Sequence, residues 1–119
     1  MPQRQLVFVG SSIDDLMSFP EDVKDVVGYA LWLAQGGQKH PDAKPLKGFG
    51  GAGVLEIADA YRGDAYRVDY TTTFADAVYV PHAFKKKSTS GIATPQQHID
   101  IIKRRLRDAA EIHAERTAS

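Results

Sequence analysis

The chain contains no cysteine. That excludes disulfides and thiolate metal sites, and makes a reducing compartment, the cytoplasm, the default expectation. No apolar run approaches the roughly 20 residues a membrane-spanning helix needs. The opening stretch MPQRQLVFVGSSIDD has too short an apolar run and the wrong flanks for a secretory signal. Net charge is missing too: 15 Lys and Arg balance 15 Asp and Glu over 119 residues. That length suits one domain, residues 1–119, with one core. No Gly-x-Ser-x-Gly elbow is present to support nucleophilic hydrolysis. His40, His82, His98 and His113 include no helical i, i+4 pair, so no metal site is expected. The GFGGAG segment follows a Lys/Pro loop and precedes a strand, whereas a nucleotide loop follows a strand and opens a helix. It reads as a flexible hairpin entry, and no cofactor is expected.

The neutral total hides an asymmetry. Residues 1–60 carry 5 Lys/Arg against 8 Asp/Glu, and residues 61–119 carry 10 against 7. Between 85 and 107 there are seven basic residues and one acid, Asp100. Such a patch suits phosphate or an acidic partner, or is a solvated charged face.

The apolar pattern gives the order β-α-α-β-β-β-α. Gln5–Gly10 reads as a strand. Ser11 or Ser12 can cap a short helix with Asp14 and Asp15 in its first turn. Ser18 and Glu21 have capping-box spacing, and Pro20 suits the first turn of a second helix. Its apolar face is Val23, Val26, Val27, Ala30, Leu31 and Ala34, and Gly36-Gly37 stops it. Strands follow at Val54–Tyr61, Ala65–Phe74 and Asp76–Phe84, joined as antiparallel hairpins. Thr94 caps and Pro95 opens the last helix, with Ile99, Ile102, Leu106 and Ala109 inward and Lys103, Arg104, Arg105 and Arg107 mostly facing elsewhere. This is an α+β domain: an N-terminal helical hairpin and a C-terminal helix covering one face of a small antiparallel sheet.

The chemistry-bearing residues converge on strands and loops: Arg67, His82, Lys47 and Lys85–Lys87, with Tyr66, Tyr70 and Tyr79 nearby. Cations neutralise phosphates and aromatic rings stack on splayed bases, which suits RNA. Metal-free RNA cleavage needs a group to take the 2′-hydroxyl proton, cations for the phosphorane, and an acid for the leaving oxygen. A histidine can move protons, and clustered lysines lower each other's pKa toward a base. Arg67 can hold two phosphate oxygens at once. Taken singly, His82 also reads as a hydrogen-bonded core histidine and Lys85–Lys87 as a solvated strand end.

The series FVGSSIDDL, FPEDV, GYALWLAQGG, HPDAKPLKGFGGAGVLEI, YRVDYTTTFADAVYVPHAFKKKSTSGIATP and IDIIKRRL closely resembles the phage-derived, HigB-type branch of the RelE/ParE toxin superfamily. The likeness covers about residues 6–113. AKPLKGFGGAGVLEI, the Tyr-Arg-Val strand at 66–68 and HAFKKKSTSGIATP are its most specific parts. It implies a RelE-like fold and the toxin of a type II toxin–antitoxin pair, cleaving mRNA on the ribosome without a metal. The implied partners are ribosome, mRNA and a cognate helix-turn-helix antitoxin, with DNA reached only through that antitoxin and no membrane contact. Carried over, Lys47, Arg67, His82, Lys85 and Lys86 are the catalytic set. Arg67 and Lys47 grip the phosphate, and His82 or a lysine from 85–86 handles protons. Lys87, Lys103, Arg104 and Arg107 bind RNA. The same superfamily includes ParE-like gyrase inhibitors, and an antitoxin-binding protein with weak catalysis is a further alternative. Ala58 stands where many relatives carry arginine. Pro81 stands where relatives often carry an aliphatic residue, and a proline there breaks a strand ladder or lies on an edge.

Overall fold

A computed structural model describes residues 3–49, 53–87 and 93–118. Gln5–Phe8 form strand β1, and the chain then turns at Gly10, where φ is +60°. Helix α1 is Ser12–Met17, and α2 is Glu21–Gln35. Lys44–Pro45 make a two-residue strand β2, followed by β3 (Val54–Tyr61), β4 (Asp64–Thr71) and β5 (Ala77–Lys87). Helix α3 runs from Gln96 to Thr117. The β3–β4 turn is two residues long, with Arg62 at φ +50° and Gly63 at +86°. Positive φ at both positions matches the twist of the flanking strands, which is why this hairpin is tight. Among the described residues, no helix is long and apolar enough to cross a membrane.

The chain is α+β, but two expectations about the sheet are corrected. It has five strands in the order β1-β5-β4-β3-β2 and is mixed rather than antiparallel. β1 runs parallel to β5, with Gln5 against Ala77 and Phe8 against Val80. Parallel neighbours need a long crossover, so nothing local in the sequence marks this pairing. The second correction concerns the helices. α2 packs on one face through Val23, Val27, Ala30, Leu31 and Ala34, against Ile57, Val68, Tyr70, Val78 and Val80. α3 lies on the other, where Ala109 meets Val9, Ala77 and Tyr79. The apolar run Ala77–Val80 is buried at every position, so both faces of β5 require a cover.

The capping expectations also change. α1 is as short as expected, six residues, and it packs on β5. Ser18 gives its hydroxyl to the Asp15 carbonyl (2.6 Å), and no side chain caps α2, whose N-cap is Pro20. Thr94 does not cap α3 either; Pro95 is the N-cap, and the Thr94 hydroxyl is used elsewhere.

β5 extends through all three lysines, further than expected. Asp69 pairs with His82 but Thr71 pairs with Tyr79, so Val80 and Pro81 together stand opposite Tyr70. This is a β-bulge, a place where a residue lacking an N–H donor does no harm. Beyond it the alternation is re-phased: Val78, Val80 and then Ala83 pack on the α2 side, and His82 and Phe84 turn to the α3 side.

The two covers of α2 differ sharply at neighbouring positions. Leu31→Ala should cost about 2–5 kcal/mol, because it opens a cavity against the sheet. Trp32→Ala, one residue on and 58% exposed, should change stability by no more than about 0.5 kcal/mol. Urea unfolding of both variants at neutral pH measures the contrast.

Candidate functional site

The re-phased β5 completes a row of polar residues across three strands on the α3 side. In register, Glu56 stands beside Asp69 and Asp69 beside His82; one row on, Ala58 faces Arg67 and Arg67 faces Phe84. α3 roofs this layer. Arg67 donates from Nη1 to Glu56 Oε1 (3.0 Å) and to Thr94 Oγ1 (3.1 Å). Thr94 donates onward to the Glu56 carboxylate. Both members of the Arg67–Glu56 pair are about nine-tenths buried. Neither oxygen of Asp69 meets a donor. Burial, then the hydrogen bond to Glu56 and repulsion from it, outweigh the attraction of Arg67 and hold the Asp69 carboxyl well above its ordinary range. The raised value means that burial favours the protonated form of Asp69, while Glu56 is the carboxylate that Arg67 bridges.

His82 is buried beside it. Its Nε2 lies 2.8 Å from His98 Nδ1, and its Nδ1 lies 3.3 Å from Arg105 Nη1. A guanidinium only donates, so it fixes the tautomers of both rings. His82 Nδ1 accepts from Arg105, His82 Nε2–H donates to His98 Nδ1, and His98 keeps its own hydrogen on Nε2. Phe84 stacks on His98 at 3.8 Å and holds the ring in place. Burial, His98 and Arg105 together lower the His82 pKa to about 4, with Asp15 opposing weakly. Burial also lowers that of His98.

Arg105 was expected to face away from the sheet and does not. It also donates to the Pro81 carbonyl (3.0 Å) and to Ser11 Oγ (3.1 Å), and Ser11 donates to Asp15. It reaches Ser11 by passing over Gly10, where an added Cβ would sit 2.6 Å from Arg105 Nε. Only glycine combines that clearance with φ +60°.

The histidine pair borders an open cleft of about 360 Å³ lined by Asp15, Ser18, Phe19, His82, Ala83, Phe84, Lys85 and His98. The cleft lies where β1 has ended, since β1 pairs with β5 only over residues 77–80.

The expected site residues do not form one cluster. Arg67 and His82 share the layer under α3, one committed to Glu56 and the other to His98. Lys85 turns to the opposite side of the sheet, bridging to Asp64 at 3.2 Å and lying 5.9 Å over the Tyr66 ring. Asp64 raises the Lys85 pKa, so Lys85 is a cation and not the depressed-pKa base that three adjacent lysines suggest. Lys86 donates to the Ala93 carbonyl (2.8 Å), and Lys87 is exposed at the strand end. Lys47 is exposed in the loop before β3. Lys103 lies 6.0 Å over the ring of Phe49 in that same loop, which brings the loop beside α3. Lys103, Arg104 and Arg107 are exposed on α3. Tyr66, Tyr70 and Tyr79 are buried, which removes them as platforms for bases; burial pushes the Tyr70 hydroxyl up to about 12. Residues Ser88–Ile92 of the expected Ser/Thr loop lie outside the described residues.

Sequence reasoning missed Glu56, Asp69, Thr94, His98, Arg105 and Asp15. The one available clue was alternation within β4, where Arg67, Asp69 and Thr71 alternate with Tyr66, Val68 and Tyr70; nothing comparable marks Glu56 in β3. No clue connects His98 with His82, because their meeting depends on the bulge. Among the described residues no three His, Asp or Glu side chains converge as metal ligands.

The fold and this layer define a class: an α+β protein with a roofed row of paired charges and a basic strand end beside an open cleft. Residues 14–107, well over half the chain, match the family described as phage derived protein Gp49-like (DUF891). The chain belongs to that family. No curated protein matches it.

The histidine pair has a measurable signature. The folded His82 pKa of about 4 lies below its unfolded value, so between pH 4 and 6.5 the unfolded chain binds the extra proton. The stabilisation is full above about pH 6.5 and is lost as pH falls toward 4. The raised Asp69 acts in the opposite sense, so the comparison must be with a His82→Gln variant. The stability advantage of the native chain over that variant should shrink by about 2–3 kcal/mol between pH 7.5 and 4 in urea unfolding.

Proposed function

We propose that the chain is the toxin of a type II toxin–antitoxin pair, of RelE-like fold and HigB type, and a ribosome-dependent, metal-independent mRNA endoribonuclease. Membership of the Gp49-like family, associated with toxins of such systems, supports the class. The observation that carries the activity is that one open cleft is lined by Asp15, by His98 with its fixed N–H donor, and by Lys85, which rises from the other side of the strand. Lys85 and Lys86 balance the charge of the scissile phosphate, and His98 Nε2–H donates to a non-bridging oxygen. Asp15, the carboxylate among the described lining residues, takes the 2′-hydroxyl proton as the 2′-oxygen bonds to phosphorus. The bond from phosphorus to the 5′-oxygen breaks, and the Lys85 ammonium supplies the proton that oxygen needs. The products are a 2′,3′-cyclic phosphate and a 5′-hydroxyl, and no metal is required. Lys47, Lys87, Lys103, Arg104 and Arg107 hold ribosomal or messenger phosphates. The partners are the ribosome, mRNA and a helix-turn-helix antitoxin, in the cytoplasm. Arg67 and His82 act from beneath, fixing the sheet and the His98 tautomer.

The second reading is a catalytically weak antitoxin-binding protein or a ParE-like gyrase inhibitor. The burial of Arg67 in its ion pair favours it, because that guanidinium is withheld from any phosphate.

Expression in bacteria without the antitoxin should arrest growth and cut translated mRNA, read as new 5′ ends by primer extension. Lys85→Ala with Lys86→Ala, and separately Asp15→Asn, should lower cleavage at least about tenfold. Undiminished cleavage in both variants would refute the site. Intact mRNA with blocked gyrase supercoiling would select the inhibitor, and normal growth would leave antitoxin binding alone. Arg67→Ala is a poor probe, since leaving Glu56 unpaired should cost about 3–5 kcal/mol and unfold the chain.

A further inference from the structure

The outward side of α2 is built unlike the rest of the surface. Glu21, Asp22, Asp25, Gly28, Tyr29 and Trp32 are all exposed and fall on one helical stripe. Tyr29 and Trp32 are 53% and 58% exposed and stack on each other, with ring centroids 6.1 Å apart. The Tyr29 ring also meets the edge of His40 at 5.8 Å, which brings the loop carrying Lys39 alongside. An exposed aromatic pair of this kind marks an interaction surface.

Gly28 says what approaches it. Glycine inside a helix costs stability relative to alanine. Nothing lies within 4 Å of a Cβ placed there, so no contact inside the chain requires the missing side chain. A bare helix midpoint allows a second backbone to come close. Gly28 is the centre of Glu21–Gln35, with seven residues on either side.

The stripe is also self-complementary about that centre. Its N-terminal half carries the carboxylates Asp22 and Asp25, with Glu21 bridged to Lys24 at 2.7 Å. Its C-terminal half carries the indole N–H of Trp32 and the phenol of Tyr29, and Lys39 and His40 follow. Turned antiparallel on a second copy, the acidic half of each helix meets the hydrogen-bond donors of the other and the loop that carries Lys39. Helix dipoles oppose favourably in the same arrangement. A twofold interface requires this kind of self-match.

We infer that two copies of this chain associate through antiparallel α2 helices crossing at Gly28. The contact uses none of the residues to which the activity proposed above is assigned. One helix per copy is a small interface, so the dimer should form in the micromolar range, about 10–100 μM.

Trp32 is the only tryptophan in the sequence, so its emission reports the contact directly. With the purified full-length chain, sedimentation equilibrium from about 1 to 500 μM should show a monomer–dimer equilibrium. Trp32 emission should shift to the blue over the same range. Gly28→Lys blocks close approach yet improves helix propensity, so it should weaken association at least about tenfold with an unchanged or higher melting temperature. Trp32→Ala and Asp25→Lys should weaken it similarly with far-ultraviolet circular dichroism intact. A monomer across the whole range would overturn the inference, as would association that all three variants leave unchanged.

Discussion

The Arg105 guanidinium holds together the part of the molecule where function is proposed. From one half-buried position on α3 it reaches the bulge carbonyl of Pro81, the ring of His82 and the hydroxyl of Ser11. A guanidinium cannot accept a hydrogen bond or lose its proton at ordinary pH. It therefore imposes a direction on every bond it touches. His82 must accept on Nδ1 and donate on Nε2, and His98 must present a donor. The bulge, the start of α1 and the roof helix become one unit, and Gly10 is the gap that lets the arginine through.

Beneath that unit, the layer shows how a protein places charges inside at tolerable cost. One ion pair, Glu56–Arg67, is matched at 3.0 Å and shares the Thr94 hydroxyl. Burial shifts the neighbouring carboxyl, Asp69, upward and the neighbouring imidazole, His82, downward, so in both it favours the uncharged form.

The two helical faces divide the labour. α3 presents Lys103, Arg104 and Arg107 outward and roofs the polar layer. α2 covers the apolar face and turns aromatic and acidic residues outward. The zero net charge of the chain is thus the sum of unlike surfaces, with the basic residues gathered on α3 and the end of β5.

Much of this architecture is written in local patterns. The helical spacing of Val23, Val27, Ala30 and Leu31, the alternation of Val54–Tyr61, and the Arg62-Gly63 turn each specify their element, because 3.6- and 2-residue periods are properties of neighbouring residues. The basic bias of residues 85–107 and the absence of cysteine are equally plain in the sequence. The site was far less legible. Arg67 and His82 are chemically conspicuous, but nothing near them in the chain shows that one is tied to Glu56 and Thr94 and the other to His98 and Arg105. Those partners are 11 to 27 residues away. The parallel seating of β1 on β5, the helices on opposite faces and the turning of Lys85 away from His82 were likewise settled in space. The deciding element is the extra residue at Val80–Pro81. A strand's alternation has a period of two, so one inserted residue exchanges the faces of all that follows. By itself the sequence determined which elements form and which residues carry charge. Only the tertiary structure decided which charges meet, because strand register brings Arg67 to Glu56 and a single bulge sets the sides to which His82 and Lys85 point.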